Sequence, residues 1–219
     1  MSTAGKKLVI APAVLEGVTF DVYARLRDDP GNDGVRMTYH DGTLELMSPQ
    51  YRHDKGDRRI AMIIRAYTAV LGVDCQGAGS TTFRRGLTGE RKGKGKEPDD
   101  SFYFTHATLM RNKEEIDLEV DPPPELWIEV DNWGSSKGKL PLYAALGVSE
   151  VWRYRVRRQS LWFGVLENGS YVQTARSVCL PKLTPEIVLN LLDEIPARGE
   201  TAWDNWMRGW IGSTLRHTE

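Results

Sequence analysis

The sequence KEPDDSFYF, residues Lys96–Phe104, carries the pattern that decides the fold. Pro98 fixes the backbone directly before Asp99, and a run of strand-forming aromatic residues follows. We therefore expect a strand with a carboxylate at its start. A second run, ELWIEV at residues 125–130, is apolar from Leu126 to Ile128, directly before Glu129, and predicts a strand entering the interior.

The chain around these two strands alternates between helical and strand patterns. Apolar residues at helical spacing predict helices near residues 20–29, 53–71, 140–146 and 201–212. Asp41-Gly42 and Asn168-Gly169 predict the turns of two β-hairpins. The Gly- and Lys-rich segment Arg84–Lys96 predicts a mobile loop. The order of elements indicates a mixed α/β or α+β fold, with residues 1–16 as an N-terminal extension and residues 17–219 as one domain.

The composition excludes several classes of protein. A chain of 219 residues with 40% hydrophobic and 27% charged residues is typical of a globular domain, and a net charge of −1 gives no strong overall field toward nucleic acid or membrane. No apolar stretch is long enough to span a bilayer. Two distant cysteines form no disulfide framework, so we expect a reducing cytoplasm. Neither the dinucleotide-binding glycine motif nor the P-loop motif is present.

Asp99 and Glu129 are the strongest candidates for chemistry. If their strands are neighbours, the two carboxylates converge, and oxygen ligands of this kind suit Mg²⁺ or Mn²⁺. The alternative is structural, with Asp99 capping a turn and Glu129 in an ion pair. Taken together with the lysines that follow Glu129, the pair favours a metal site.

Four further residues are candidates for the same site. Lys137 and Lys139 stand at the start of a short helix, where a positive charge is mildly unfavourable against the helix dipole. This small penalty argues weakly for a functional role, such as stabilising a phosphoryl oxygen. Glu45 lies in a hairpin strand and either reaches the metal or only pairs across strands. His53 precedes the long helix and either faces the cleft or belongs to a helix cap.

Local basic stretches are candidates for contacts to phosphate. One surrounds the glycine-rich segment and includes Arg84, Arg85, Lys94 and Lys96. In the other, VWRYRVRR, alternation places Arg153 and Arg155 on one strand face and an apolar row on the opposite face. The alternative for both stretches is an ordinary solvated surface.

Several ordered blocks resemble the Uma2 family (DUF820) of restriction-endonuclease-like proteins. They are HDGTLELMSPQYRHD, GSTTFRRG, EPDDSFYF, DPPPELWIEVD and KLPLYAALGVSEVWRY. The resemblance implies a PD-(D/E)XK nuclease core, a central mixed β-sheet flanked by helices. It also implies that Asp99, Glu129 and the backbone carbonyl of Val130 hold Mg²⁺. The lysine that the superfamily commonly carries at position 131 is Asp131 here, and the resemblance assigns its role to Lys139, with Lys137 as second choice.

The resemblance implies a divalent-metal-dependent endonuclease that acts on DNA, with a homodimer as the analogous assembly. A C-terminal face of Trp203, Trp206 and Trp210 predicts either core or a contact between subunits. Thr38 and Ser135 stand where many relatives carry acidic residues. These departures favour the alternative of an inactive nucleic-acid-binding or interaction module. A small-molecule hydrolase that uses the same carboxylates is a second alternative.

Overall fold

The computed structural model describes residues 13–47, 54–86, 88–131 and 135–216. The strands are β1 (Ala13–Leu15), β2 (Arg36–His40), β3 (Thr43–Met47), β4 (Gln76–Gly77), β5 (Phe83–Gly86), β6 (Gly93–Lys96), β7 (Asp100–Tyr103), β8 (Leu126–Asp131), β9 (Glu150–Arg155), β10 (Ser160–Glu167) and β11 (Ser170–Thr174). The helices are α1 (Phe20–Asp28), α2 (Asp54–Leu71), α3 (Ala107–Met110), α4 (Leu140–Leu146), α5 (Pro185–Asp193), α6 (Ile195–Arg198) and α7 (Glu200–Trp210). The predicted mixed fold is confirmed.

The contacts divide the chain into two compact units. The first comprises residues 1–50 and 84–97, and the second comprises residues 51–83 and 98–219. The chain therefore passes from the first unit to the second between Glu97 and Pro98. The single domain expected over residues 17–219 stays a prediction. Within the described ranges, no helix combines the length and the apolar character needed to cross a membrane.

The first unit is built on a five-stranded sheet in the order β1-β3-β2-β6-β5. The predicted hairpin joins β2 and β3, and Asp41 and Gly42 both have positive φ angles, 45° and 95°, as a type I′ turn requires. The core of this unit is aromatic. Tyr23 stacks on Tyr39 with ring centroids 5.0 Å apart, and Phe20 packs beside both rings.

The glycine-rich segment contains an ordered strand, which corrects the predicted mobile loop. β6 pairs antiparallel with β2, with Gly95 opposite Tyr39. A Cβ on Gly95 would lie 2.2 Å from the Tyr23 hydroxyl, and a Cβ on Gly93 would lie 2.5 Å from the Phe20 ring. Only glycine lets these rings pack against the strand backbone. The glycines thus serve packing in this segment.

The second unit contains a six-stranded mixed sheet in the order β11-β10-β9-β8-β7-β4. β8 and β9 are parallel and are connected through α4, whereas the other pairs are antiparallel. Side chains on one face, including Ile128 and Trp152, form a core with residues of α2, α5 and α7. Side chains on the other face, including Trp127 and Val151, pack against α4. The central strands are therefore covered on both faces.

Two of the predicted helix ends are confirmed by glycines with positive φ. Gly72 follows α2 with φ 74°, and Gly147 follows α4 with φ 84°.

The C-terminal tryptophan face packs against the core of the same chain. Trp203 is fully buried and donates its indole N–H to the Leu191 carbonyl at 2.6 Å, and Trp206 packs against the same core.

Candidate active site

Asp99 and Glu129 occupy adjacent positions on neighbouring strands. Asp100 pairs with Ile128 across the β7–β8 ladder, and the backbone N–H of Asp99 donates to the Ile128 carbonyl at 3.1 Å. Continuing this register by one residue sets Asp99 opposite Glu129. Because side chains alternate along a strand, both carboxylates project from the face of the sheet that α4 covers.

The backbone of β8 orients the Asp99 carboxylate. Its Oδ2 accepts a hydrogen bond from the Val130 N–H at 2.6 Å. Glu129 is 6% exposed and follows the fully buried Ile128. The two carboxylates and the Val130 carbonyl offer oxygen atoms alone, which is the chemistry that Mg²⁺ prefers.

The donor set is small but fits a magnesium ion. Within the described residues, no group of three or more His, Cys, Asp or Glu side chains is arranged to hold a metal. Mg²⁺ commonly keeps several waters and binds through one or two carboxylates together with substrate phosphates. A pair of carboxylates therefore suffices for Mg²⁺, although it would not suffice for a closed structural metal site.

Tyr143 lies beside the carboxylate pair, although the sequence does not single it out among the residues of its short helix. Its side chain is fully buried on α4. Burial raises the pKa of its phenol well above the usual value, and the neighbouring Glu129 carboxylate raises it further, followed by Asp99 and Asp131. The phenol therefore stays protonated next to the Glu129 carboxylate. The signal was its position four residues after Lys139, one helical turn away.

The two candidate lysines differ in their surroundings. Ser136–Lys139 form a short 3-10 helix that leads directly into α4. Lys139 is half-buried and precedes Tyr143 by one turn, whereas Lys137 is exposed. The position of Lys139 is the more suitable one for a cation that acts beside Glu129.

Arg153 does not lie on a solvated face, contrary to the expectation from alternation. It is 3% exposed, and its Nη2 donates to Asp131 Oδ2 at 2.8 Å and to Ser135 Oγ at 3.0 Å. Its Nε donates to Ser136 Oγ at 2.7 Å. The reason is that β9 is an interior strand of the sheet. Arg155, two residues further on, is half-buried. A phosphate contact by Arg153 is thus blocked by burial.

The predicted basic residues of the first unit lie beside acidic or carbonyl partners. Arg84 pairs with Asp28 at 2.8 Å, and Lys94 pairs with Asp41 at 3.1 Å. Lys96 is buried and donates to the Glu97 carbonyl, while Arg85 is half-buried. These acidic partners offset much of the positive charge of the segment.

Two other candidate residues, Glu45 and His53, stay predictions. Glu45 lies on β3 in the first unit, opposite Thr38 of β2 and Val14 of β1. His53 falls outside the described residues. Glu97, which precedes Pro98, pairs instead with Arg27 of the same unit at 2.9 Å.

Comparisons with known proteins connect this geometry to a family. The model of the Uma2 family, described as "Putative restriction endonuclease", matches residues 20–194. Among solved structures, the chain is similar to a "putative nuclease belonging to DUF820" from Anabaena variabilis ATCC 29413. That similarity has 14% sequence identity and a TM-score of 0.49, and it covers 79% of this chain and 98% of the other. A comparison with curated proteins found no match.

Proposed function

This chain belongs to the Uma2 family, and we propose that it hydrolyses phosphodiester bonds of DNA with the help of Mg²⁺ or Mn²⁺. The observation that carries the proposal is the pairing of Asp99 with Glu129 on one face of adjacent strands. Two carboxylates in adjacent register repel each other unless a cation or hydrogen bonds compensate them. A divalent ion meets that need directly.

Each residue of the site has a proposed role. Asp99, Glu129 and the Val130 carbonyl would hold the ion, which when bound polarises a scissile phosphate and lowers the pKa of water. The Val130 N–H fixes the rotation of the Asp99 carboxylate. The buried Tyr143 hydroxyl lies beside Glu129, and in the proposed site it would orient the carboxylate oxygens, as outer hydrogen bonds do for metal ligands.

Lys139 supplies the positive charge in the proposed reaction. Its ammonium would stabilise negative charge that develops on a phosphoryl oxygen, or hold the attacking water by a hydrogen bond. The half-buried position strengthens either interaction, because electrostatic attraction grows as water is excluded. Arg84, Arg85, Lys94 and Arg155 remain proposed contacts to the DNA backbone, whereas Lys96, which is buried and donates to the Glu97 carbonyl, is not proposed as one. Lys137, Glu45 and His53 remain candidates for the outer part of the site.

The second candidate function is a nucleic-acid-binding or interaction module that has lost turnover. The observation that favours it is the Asp131–Arg153 ion pair, because an acidic residue stands directly beyond Glu129 and its partner cation is buried with it. Such a pair neutralises charge close to the proposed site.

Cleavage assays separate the two candidates. Plasmid and single-stranded DNA are incubated with the protein and Mg²⁺ or Mn²⁺, beside Asp99→Asn and Glu129→Gln. We expect each substitution to lower the cleavage rate by about 100-fold or more. Asp100→Asn is the matched control, since Asp100 alternates to the other side of the strand and accepts from the Ser101 N–H at 2.8 Å.

The outcomes are distinct. Cleavage that survives both Asp99→Asn and Glu129→Gln would place the reaction elsewhere or in a contaminant. Salt-dependent DNA binding without cleavage under any metal would favour the binding module.

Two features of the proposal, the cellular location and the oligomeric state, are not tested by this assay. Cys75 and Cys179 are free thiols, which supports a cytoplasmic location, and a homodimer is proposed by analogy with enzymes that cut both strands.

A further inference from the structure

A buried guanidinium joins three segments beside the proposed site. Arg153 of β9 contacts Asp131 at the end of β8, and also Ser135 and Ser136 at the start of the 3-10 helix. Asp131 closes the network, because its Oδ1 accepts from the Ser136 N–H at 2.8 Å and its Oδ2 from the Ser136 hydroxyl at 3.2 Å. Each hydrogen bond of this network therefore joins two of its four residues, Asp131, Ser135, Ser136 and Arg153.

The network spans the connection between the two halves of the proposed site. Asp131 lies two residues after Glu129, and Ser136 begins the short helix whose last residue is Lys139. Ser135 caps that helix by accepting from the Lys137 N–H at 3.2 Å. The guanidinium therefore holds the strand that carries the carboxylate and the turn that carries the lysine.

The location of Arg153 relates it to Glu129 in a second way. β8 and β9 are parallel, and their register pairs Glu129 with Arg153. The two side chains therefore leave the same face of the sheet on adjacent strands. Arg153 does not point toward a substrate, because it is 3% exposed and its nitrogens face the residues of the network.

We propose that Arg153 is a positioning residue that fixes Lys139 relative to Glu129. This inference rests on the proposed function, because it assumes that Lys139 acts in the reaction. The planar guanidinium reaches Asp131, Ser135 and Ser136 from two nitrogens at once, a geometry that the single ammonium of lysine does not reproduce. The Arg153 guanidinium therefore acts through the geometry of its hydrogen bonds, and its positive charge is balanced by Asp131.

Two variants test the proposal. Arg153→Lys keeps the charge and removes the fork, and Ser136→Ala removes one acceptor of the fork while both charges remain. We expect Arg153→Lys to lower kcat by about 10- to 100-fold with KM nearly unchanged, and Ser136→Ala by about threefold to tenfold. Arg208→Met is the matched control, because it removes an arginine bonded to Asp204 on the partly exposed side of α7.

A second measurement does not depend on cleavage. Limited acetylation of the folded protein, followed by peptide mass spectrometry, gives the rate at Lys139 relative to Lys137. In the wild type we expect the half-buried Lys139 to react more slowly than the exposed Lys137. In Arg153→Lys and Ser136→Ala the ratio of rates should rise severalfold toward one, and in Arg208→Met it should stay unchanged. Circular dichroism confirms that each variant is folded, and Ser136→Ala carries the test if Arg153→Lys is not.

The outcomes distinguish the two proposals. If the wild type cleaves no DNA, the proposed function fails, and the acetylation ratio alone still decides whether Arg153 positions Lys139. If the wild type cleaves DNA and folded variants keep both kcat and the acetylation ratio, the positioning role is overturned while the proposed function stands. Full activity in Arg153→Lys with reduced activity in Arg153→Met would also overturn it, since charge alone would then be sufficient.

Discussion

The substitution Gly95→Ala tests whether the glycine-rich segment is a strand packed on aromatic rings. A Cβ at this position would lie 2.2 Å from the Tyr23 hydroxyl and 2.4 and 2.5 Å from two ring carbons. Non-bonded carbon atoms are stable at roughly 3.5–4.0 Å, so Tyr23 would have to move by about 1 Å or more.

The surroundings of Tyr23 resist that movement. Its ring is fully buried and stacks on Tyr39 at an interplanar angle of 11°, with Phe20 on another side. Overpacking a core costs about 1–3 kcal/mol, and the short distances here place Gly95→Ala at about 3 kcal/mol. In a chain of this length that loss lowers Tm by roughly 6–12 °C.

Hydrogen–deuterium exchange of the peptide that covers β6 is the direct assay. Gly95 pairs with Tyr39 in the ladder, so its neighbourhood should be protected in the wild type, and Gly95→Ala should exchange about 100-fold faster. Tryptophan fluorescence is a poor substitute, because all seven tryptophans lie after residue 126, in the second unit. Gly34→Ala is the control, since nothing lies within 4 Å of its Cβ. If Gly95→Ala unfolds and exchanges like Gly34→Ala, the packing argument is refuted.

Three further predictions concern stability and the site. Arg27→Met should lower the free energy of unfolding by about 3 kcal/mol because it removes the ion-pair partner of the buried Glu97 carboxylate. Arg25→Met, at an exposed pair, should change it by less than about 0.5 kcal/mol, and urea unfolding that ranks the two variants equally would contradict this. Tyr143→Phe should weaken Mn²⁺ binding about tenfold in calorimetric titration, because the hydroxyl beside Glu129 is removed, and an unchanged affinity would remove Tyr143 from the site. Burial raises the pKa of several phenols above the usual value of 10.0, so the unfolded chain loses these protons first as the pH rises. The contribution of the phenols to stability should therefore be constant below about pH 10 and should fall above it, by about 1.4 kcal/mol per pH unit for each phenol. A urea midpoint that does not fall between about pH 9 and pH 11 would contradict this. These phenols are Tyr23, Tyr103, Tyr143 and Tyr171.

Features set by neighbouring residues could be predicted from the sequence. The Asp41-Gly42 turn and the end of α4 at Gly147 follow from the φ angles that each residue tolerates. The positions of Asp99 and Glu129 beside predicted strands could be read from the sequence, because each carboxylate stands next to a short strand-forming run. Their convergence was predicted only on the condition that the two strands are neighbours, and the structure shows that β7 and β8 pair. The roles of these carboxylates in catalysis stay a prediction.

Features set by distant residues could not be predicted. The alternating pattern around Arg153 suggested a solvated face, but its partner Asp131 lies 22 residues upstream on a parallel strand. The lysines and glycines near Gly95 have the composition of a loop, and only the ring of Tyr23 explains why glycine is needed there. Glu97 stands directly before Pro98 and Asp99 in the sequence, yet it pairs with Arg27, which lies 70 residues away.

The order of the strands in the first sheet affects how the protein is made. β2 ends at His40 and pairs with β3 along one edge. Its other edge pairs with β6, which follows more than fifty residues later in the sequence and sets Lys94 opposite His40. At a synthesis rate of about 5–20 residues per second, the emerging chain waits roughly 3–10 s before that partner leaves the ribosome. During this interval the edge of β2 that later pairs with β6 is unpaired, and an unpaired strand edge is a template for pairing with another chain.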